Sequence, residues 1–233
     1  MTNMQAKTPA AGLKKEVAPF EKTDTRRSIL QLINTILPLV LLWVAAYAAL
    51  SVSFALTLAL AVLAGGFLVR TFIIFHDCCH GSFFRSRRAN DIVGTLTGIL
   101  TVVPYRQWKH THSVHHATSG NLEKRGTGDI WVMTVEEYRK APPLRRLMYR
   151  LYRNPIVMFG LGPTFTFLIK YRFNRRGARR GERLNTYLTN IGIAGLYALL
   201  ITLVGWEAFL LVQGPLFLTA GLAGVWLFYV LHN

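Results

Sequence analysis

The N-terminal third of the chain divides into a polar segment and a long apolar one. Residues 1–27 are polar and lack the apolar core and cleavage site of a secretory signal, so we predict a disordered cytosolic tail. The apolar stretch that follows contains a single basic residue, Arg70, and is about twice the length that one helix needs to cross a bilayer. The polar interruption at Ser51 divides this stretch into two predicted spans, at residues 29–50 and 54–75.

The C-terminal part of the chain repeats this hairpin pattern. Two further spans are predicted at residues 187–204 and 208–230, joined by Gly205, Trp206 and Glu207. The last fifty residues contain no Lys or Arg. Together the two pairs predict an all-α integral membrane protein with about four transmembrane helices in two hairpins, and residues 28–233 are expected to form one membrane domain.

Residues 76–186, between the two hairpins, form a mostly polar segment with two apolar runs. These runs, at residues 91–105 and 156–169, are only about fifteen residues long, which favours interfacial or re-entrant helices over spans. Between them, Thr134 and Glu137 stand in the spacing of a capping box, which predicts the start of a surface helix.

The basic residues are confined to three places, and this distribution predicts the orientation in the membrane. All 27 lie in the tail, at Arg70 or within residues 85–183. On a compact soluble protein, a net charge of +16 would suggest nucleic-acid binding. A composition of 52% hydrophobic and 16% charged residues is instead typical of a protein in lipid. The positive-inside rule places the tail and the middle segment in the cytosol. The six arginines of residues 172–183 are expected to lie near anionic lipid headgroups and not to bind nucleic acid.

Six of the seven histidines fall within two short motifs. The chain reads His-Asp-Cys-Cys-His from residue 76 and His-Thr-His-Ser-Val-His-His from residue 110. Positions i, i+3 and i+4 of a helix share one face, so His76 can lie beside His80, and His112 beside His115 and His116. Neutral imidazole is a common ligand for iron, copper and zinc. The spacing predicts a metal site of five histidines at the cytosolic membrane boundary.

The other polar residues of these motifs are given supporting roles. His110 lies on a different helix face from the rest of its motif and is not expected to bind metal. Asp77 is predicted to hold an imidazole in one tautomer, with a salt bridge to a nearby arginine as the alternative. Cys78 and Cys79 are adjacent, so they form no ordinary disulfide framework, and they are expected to be small packing residues.

Three motifs resemble those of bacterial membrane fatty acid desaturases, which act on acyl chains in lipids. They read H-D-C-C-H-G-S-F-F, H-S-V-H-H-A-T-S-G-N-L and G-D-I-W-V-M-T-V-E-E-Y, and the match covers nearly everything after residue 28. The resemblance implies a non-haem di-iron centre that uses dioxygen and an external electron donor, such as ferredoxin or cytochrome b5, to introduce a double bond. It also implies an acyl chain in a narrow apolar tunnel and a location in the bacterial inner membrane.

The ligands that the resemblance implies are the five spaced histidines, with one further candidate near the C-terminus. They are carried over to His76, His80, His112, His115 and His116. His232 aligns with a family histidine that often follows glutamine, whereas here Leu231 precedes it.

Two departures from the family pattern affect this expectation. Cys79 stands where the family has glycine, a change between small residues. Family members also carry a third histidine box further downstream, so we expect the chain to be truncated before that box and its di-iron centre to be incomplete. Little or no desaturation is then expected of this exact chain.

Two other functions remain open from the sequence. A membrane di-iron hydroxylase or ketolase would use similar histidine boxes and transfer oxygen to the chain instead of removing hydrogen. An inactive, metal-free membrane protein that binds lipid or a partner would keep the boxes as remnants.

Overall fold

The computed structural model of the chain describes residues 23–126 and 130–232, without the side chains of Phe228, Leu231 and His232. Most of the predicted tail therefore lies outside the described residues. Within them the chain forms helices and turns, with no strand. The α-helices, in chain order, are α1 (Thr25–Ala49), α2 (Phe54–His80), α3 (Arg87–Leu100), α4 (Tyr105–Thr118), α5 (Val135–Lys140), α6 (Pro143–Tyr152), α7 (Gly162–Leu168), α8 (Arg180–Val204) and α9 (Trp206–His232).

The four predicted spans are confirmed as the long helices of the fold. Among the described residues, α1, α2, α8 and the Trp206–Leu227 part of α9 are long and apolar enough to cross a membrane. Both α2 and α8 extend beyond their apolar runs, since α2 continues to His80 and α8 already begins at Arg180. Each added residue of a helix gains a hydrogen bond whether lipid or water surrounds it, so a helix can outlast the apolar stretch that first reveals it.

Both ends of the first hairpin have clear local causes. α1 begins at Thr25, within the predicted tail, because the Asp24 side chain accepts a hydrogen bond from the backbone N–H of Arg26. α2 ends at His80 because Gly81 adopts a left-handed conformation, with φ of 71°, and donates its N–H to the Cys78 carbonyl. The first histidine motif therefore lies entirely within the last turns of α2.

The two short apolar runs of the middle segment are helical. The first corresponds mainly to α3, and the chain reverses over residues 101–104 before α4 begins. The second forms a π-helical segment, Ile156–Leu161, that continues into α7. Leu100 at the end of α3 packs against a buried cluster shared by α1, α2 and α9, so this end of α3 lies inside the helix bundle.

The predicted capping box at the start of the surface helix is confirmed. The Thr134 hydroxyl accepts a hydrogen bond from the Glu137 backbone N–H at 3.2 Å, and the Glu137 carboxylate accepts one from the Thr134 N–H at 2.8 Å. This backbone hydrogen bond, together with Arg125, holds the pKa of Glu137 below its usual value.

α2 is the central helix of the bundle and packs against α1, α3, α4 and α9. Its close approach to α9 depends on Gly65. A Cβ at this position would lie only 2.8 Å from the Leu216 carbonyl oxygen and 2.8 Å from the Thr219 Cβ. The neighbouring Gly66 has no atom within 4 Å of its own Cβ position and faces outward.

The two glycines allow a matched test of this packing. Gly65→Ala is expected to destabilise the protein by about 1–3 kcal/mol, because the added methyl group forces α9 away from α2. Gly66→Ala is expected to be neutral or stabilising by up to about 1 kcal/mol through helix propensity alone. Thermal unfolding of both variants in detergent measures the difference, and equal stabilities would contradict this packing.

Candidate metal centre

Four histidines from the ends of two helices converge on one point. α2 supplies His76 and His80, and α4 supplies His112 and His116. One ring nitrogen from each of the four lies within 4.8 Å of all the others. Among the residues that the structure describes, this is the cluster whose geometry suits a metal ion.

The spacing of these nitrogens fits coordination. The Nε2 atom of His112 lies 3.0 Å from that of His76, 3.0 Å from that of His80 and 3.0 Å from that of His116. A metal ion about 2.1 Å from two imidazole nitrogens separates them by about 3.0–3.4 Å in octahedral or tetrahedral geometry. One imidazole nitrogen can donate or accept only one hydrogen bond at a time. A shared cation would satisfy all these contacts, whereas hydrogen bonding between the rings would satisfy only some.

Burial keeps the central imidazole neutral. His112 is only 5% exposed, and burial, with the neighbouring histidines as a smaller cause, lowers its pKa to about 2. Burial and the nearby His115 also lower the pKa of His116. Neutral imidazole is the form that binds metal, so this environment leaves the nitrogens available as ligands near neutral pH.

The remaining residues of the two motifs lie around the cluster or away from it. Asp77 Oδ1 lies 3.3 Å from His76 Nδ1, the nitrogen that faces away from the cluster. His115 is buried, with its ring centre 6.0 Å from that of His112 and outside the converging set. His110 lies near Glu182. The predicted ligand His232 has its side chain outside the described residues.

The two cysteines belong to the apolar core beneath the cluster. Cys78 and Cys79 are 0% and 6% exposed and pack among the aromatic residues of α2 and α4. Neither belongs to the converging group. Their position agrees with the packing role expected from the sequence.

Aromatic contacts fix the position of α4 against α2. The Tyr105 hydroxyl donates to the Cys78 carbonyl at 2.7 Å, and the ring of Trp108 lies 5.2 Å from that of Phe75. Trp108 also stacks on His112, with ring centres 4.1 Å apart. Tyr171 packs against the buried aromatic cluster that contains Trp108. His112 is thus held in place by a chain of aromatic contacts.

The loop after His80 is held by a buried asparagine. Asn90, 1% exposed, accepts a hydrogen bond from the Phe84 backbone N–H at 2.9 Å and donates to the Phe84 carbonyl at 2.6 Å. The Ser28 hydroxyl donates to the carbonyl of Phe83 in the same loop. These bonds connect the end of the first histidine motif to α1 and α3.

A mostly apolar cavity of about 630 Å³ lies directly beside the histidine cluster. His112 and Trp108 form part of its wall, opposite residues of α7 and α9 that include Gly221 and Gly224. Its volume is within the range of roughly 300–1,000 Å³ that is typical of small-molecule sites. Because His112 belongs to both features, a molecule in the cavity would lie next to the converging imidazoles.

Sequence reasoning missed three residues that shape this site. Trp108 stands four positions before His112, so the spacing could have predicted that the two rings share one helix face. Tyr171 carried no local signal, because its place depends on packing against α2 and α4, which are distant in the sequence. Asn90 bonds Phe84, only six residues before it, but a single asparagine gives no sequence pattern that marks it as buried.

Comparison with known proteins connects this geometry to a family. The family model for fatty acid desaturase matches residues 52–233. A fatty acid desaturase of Bacillus subtilis (strain 168) is 60% identical over 221 residues, which cover 95% of this chain and 63% of the relative. The sn-1 oleoyl-lipid 12-desaturase of Synechocystis sp. is 34% identical over 39% of this chain and 25% of its own length.

A third relative and the solved structures complete the comparison. The sn-1 acyl-lipid omega-3 desaturase (ferredoxin) of Nostoc sp. is 27% identical over 58% of this chain and 38% of its own length. The chain thus spans less than two thirds of the length of these relatives. No solved structure matches it. The predicted resemblance is confirmed by the match over most of the chain: this membrane protein belongs to the fatty acid desaturase family.

Proposed function

We propose that this chain binds iron through its clustered histidines and acts as an oxygen-dependent desaturase on the acyl chain of a lipid. The observation that carries the proposal is the position of His112, which contributes both to the four-nitrogen cluster and to the wall of the apolar cavity. Membership of the fatty acid desaturase family supports the same reaction.

The donor set suits iron, and the family pattern implies two ions. His76, His80, His112 and His116 would hold one of them, with His115 and His232 as further candidate ligands. Bound iron would supply the oxidising power that removes hydrogen from an unactivated methylene, whose C–H bonds are not acidic enough for a side-chain base. Asp77 would accept the Nδ1 proton of His76 as a hydrogen bond, which leaves Nε2 of that ring to face the metal.

The cavity would hold the acyl chain. Its walls are mainly apolar, so a saturated hydrocarbon chain can enter it from the bilayer without exposing apolar surface to water and would lie against Trp108 and His112. The net reaction consumes one dioxygen, two electrons and two protons, and yields one double bond and two waters. The names of two relatives specify acyl lipids, and one of them also specifies ferredoxin. We therefore propose a lipid-linked substrate and an external donor such as ferredoxin or cytochrome b5.

The proposed orientation places the histidine cluster in the cytosol at the inner membrane of a bacterium. It is supported by the positive-inside rule, because all Lys and Arg residues outside the N-terminal tail and Arg70 lie within residues 85–183. An electron donor in the cytosol would then reach the same side of the membrane as the metal.

Iron content tests the metal site. Protein purified in detergent after growth with iron is expected to contain iron in stoichiometric amount, and His112→Ala is expected to lower its iron affinity by about 100-fold or more, because the central ligand is lost. His110→Ala, on the same helix but away from the cluster, serves as the control and should keep its iron. Elemental analysis measures the molar ratio of iron to protein in each variant. Wild-type protein without iron, or equal loss from both variants, would contradict the metal site.

Product analysis tests this proposal against the expectation from the sequence that a centre without the third histidine box forms little or no product. Membranes that contain the iron-loaded chain, dioxygen and a reduced ferredoxin are expected to form acyl chains two mass units lighter than the saturated substrate, and His112→Ala should form none. Mass spectrometry of the lipids distinguishes this outcome from chains that gain one oxygen, which would assign the hydroxylase alternative. An iron-loaded chain that changes no lipid would contradict desaturation by this chain.

Filling the cavity tests where the acyl chain binds. In Gly224→Phe a ring would occupy the cavity, whereas in Gly214→Phe, on the same helix, the ring would face outward. Photocrosslinking with a diazirine-bearing acyl lipid is expected to label the peptide that contains Trp108 and Thr111. The amount of crosslinked lipid on this peptide should fall about tenfold in Gly224→Phe, because overpacking of this kind weakens binding by more than about 1 kcal/mol. It should be unchanged in Gly214→Phe. Equal labelling of both variants would place the acyl chain elsewhere.

A further inference from the structure

Helix α6 exposes a continuous apolar stripe, which we call the α6 apolar face. It consists of Leu144, Leu147, Met148 and Leu151, which are 68%, 52%, 55% and 56% exposed. Their spacing of three and four residues places all of them along one side of the helix. Four large apolar side chains in a row are costly to leave in water, so this side of α6 needs an apolar environment.

The opposite side of α6 packs against the preceding segment. The ring of Tyr149 lies 5.2 Å from Trp131 and 5.8 Å from Tyr138. The Tyr152 hydroxyl accepts a hydrogen bond from the Trp131 backbone N–H at 3.3 Å. These aromatic contacts fix the rotation of the helix, so the α6 apolar face points outward because of the fold.

The charges of α6 are all positive. The helix contains Arg145, Arg146 and Arg150 and no acidic residue. The nearest acidic residues along the chain, Glu136 and Glu137 on α5, already form ion pairs with Lys140 and Arg125. An apolar stripe beside arginines, with no acidic residue on the helix, is the pattern of helices that lie in the plane of an anionic membrane surface.

The position of α6 is fixed at the end of a membrane-spanning helix. Arg153, the residue after α6, donates a hydrogen bond to the Tyr229 hydroxyl at 3.2 Å and lies 5.6 Å from the centre of that ring. Tyr229 stands 23 residues after Trp206, the first residue of α9, and this length of helix covers about 35 Å, slightly more than the roughly 30 Å hydrocarbon core of a bilayer. The C-terminal end of α6 is therefore held at the membrane boundary.

We propose that α6 binds an anionic lipid surface, with its apolar face among the acyl chains and with Arg145 and Arg146 on the lipid phosphates, since Arg150 already donates a hydrogen bond to the Tyr138 hydroxyl. A second copy of the chain fits less well, because its own arginines would repel those of the first. An acidic protein would complement the arginines but would leave the apolar stripe in water at the edge of the bilayer. Tyr152, the last residue of α6, also lines the cavity, so the bound lipids would lie beside the cavity wall. The inference does not depend on the proposed reaction.

The test places a polarity-sensitive fluorophore at Leu147→Cys in the full chain, reconstituted in phosphatidylcholine vesicles with or without phosphatidylglycerol. The native cysteines are buried and are expected to react slowly with the label. Phosphatidylglycerol is expected to shift the emission to the blue, lower quenching by acrylamide in water and raise quenching by brominated acyl chains. Arg145→Gln with Arg146→Gln should lower the ratio of membrane-inserted to exposed label by about 30-fold, since each arginine near an anionic surface contributes about fivefold.

The matched control is Arg87→Gln with Arg88→Gln, which removes the same charge from the start of α3, and it should keep the phosphatidylglycerol effect. Equal loss in both double variants would show a general surface-charge effect and overturn the proposal. So would a label that acrylamide reaches equally in both vesicles. Protection of the label in detergent that rises with protein concentration would assign the face to a second copy and would also overturn it.

Discussion

The site depends on the packing of α4 against the last turns of α2. Each helix alone can offer only the histidines of its own face, and two imidazoles make a weak metal site. The Tyr105 hydroxyl on the Cys78 carbonyl and the contact of Trp108 with Phe75 fix the two helices relative to each other. With this packing, four ring nitrogens from both helices lie within 4.8 Å of one another. The aromatic core below the cluster thus determines the geometry above it.

The same packing places the cluster at a change of environment. His112 is buried between the other histidines and Trp108, and its burial favours the neutral imidazole. On its other side is a cavity with mainly apolar walls. A polar reaction centre and an apolar binding space therefore share one residue. Chemistry on an unactivated hydrocarbon requires this arrangement, because an acyl chain has no polar group near its reacting carbons by which the protein could hold it.

Much of this arrangement follows from patterns that are local in the sequence. The apolar runs predict the four spans, and the Thr134 and Glu137 spacing predicts the capping box. The histidine spacing predicts five converging rings, of which the structure brings together four, without His115. The end of α2 could not be located in this way, because a hydropathy pattern detects the lipid-covered part of a helix and not its polar continuation. The role of Tyr171 was also hidden, since it depends on packing against helices that are distant in the sequence, and a single asparagine such as Asn90 gives no pattern that marks it as buried.

α6 shows why a strongly basic segment is easily misjudged from composition. Its ten residues are too few to register as a span, and its arginines fit a general interpretation of orientation by positive charge. The fold adds the information that the aromatic side of α6 is already occupied and that Arg153 holds its end against Tyr229 at the end of a span. One side of this amphipathic helix is thus used for packing, and its end is held at the bilayer boundary. The nearby environment that matches both the leucines and the arginines of its other side is an anionic membrane surface. The charge that orients the chain would then also hold this helix on the membrane beside the cavity.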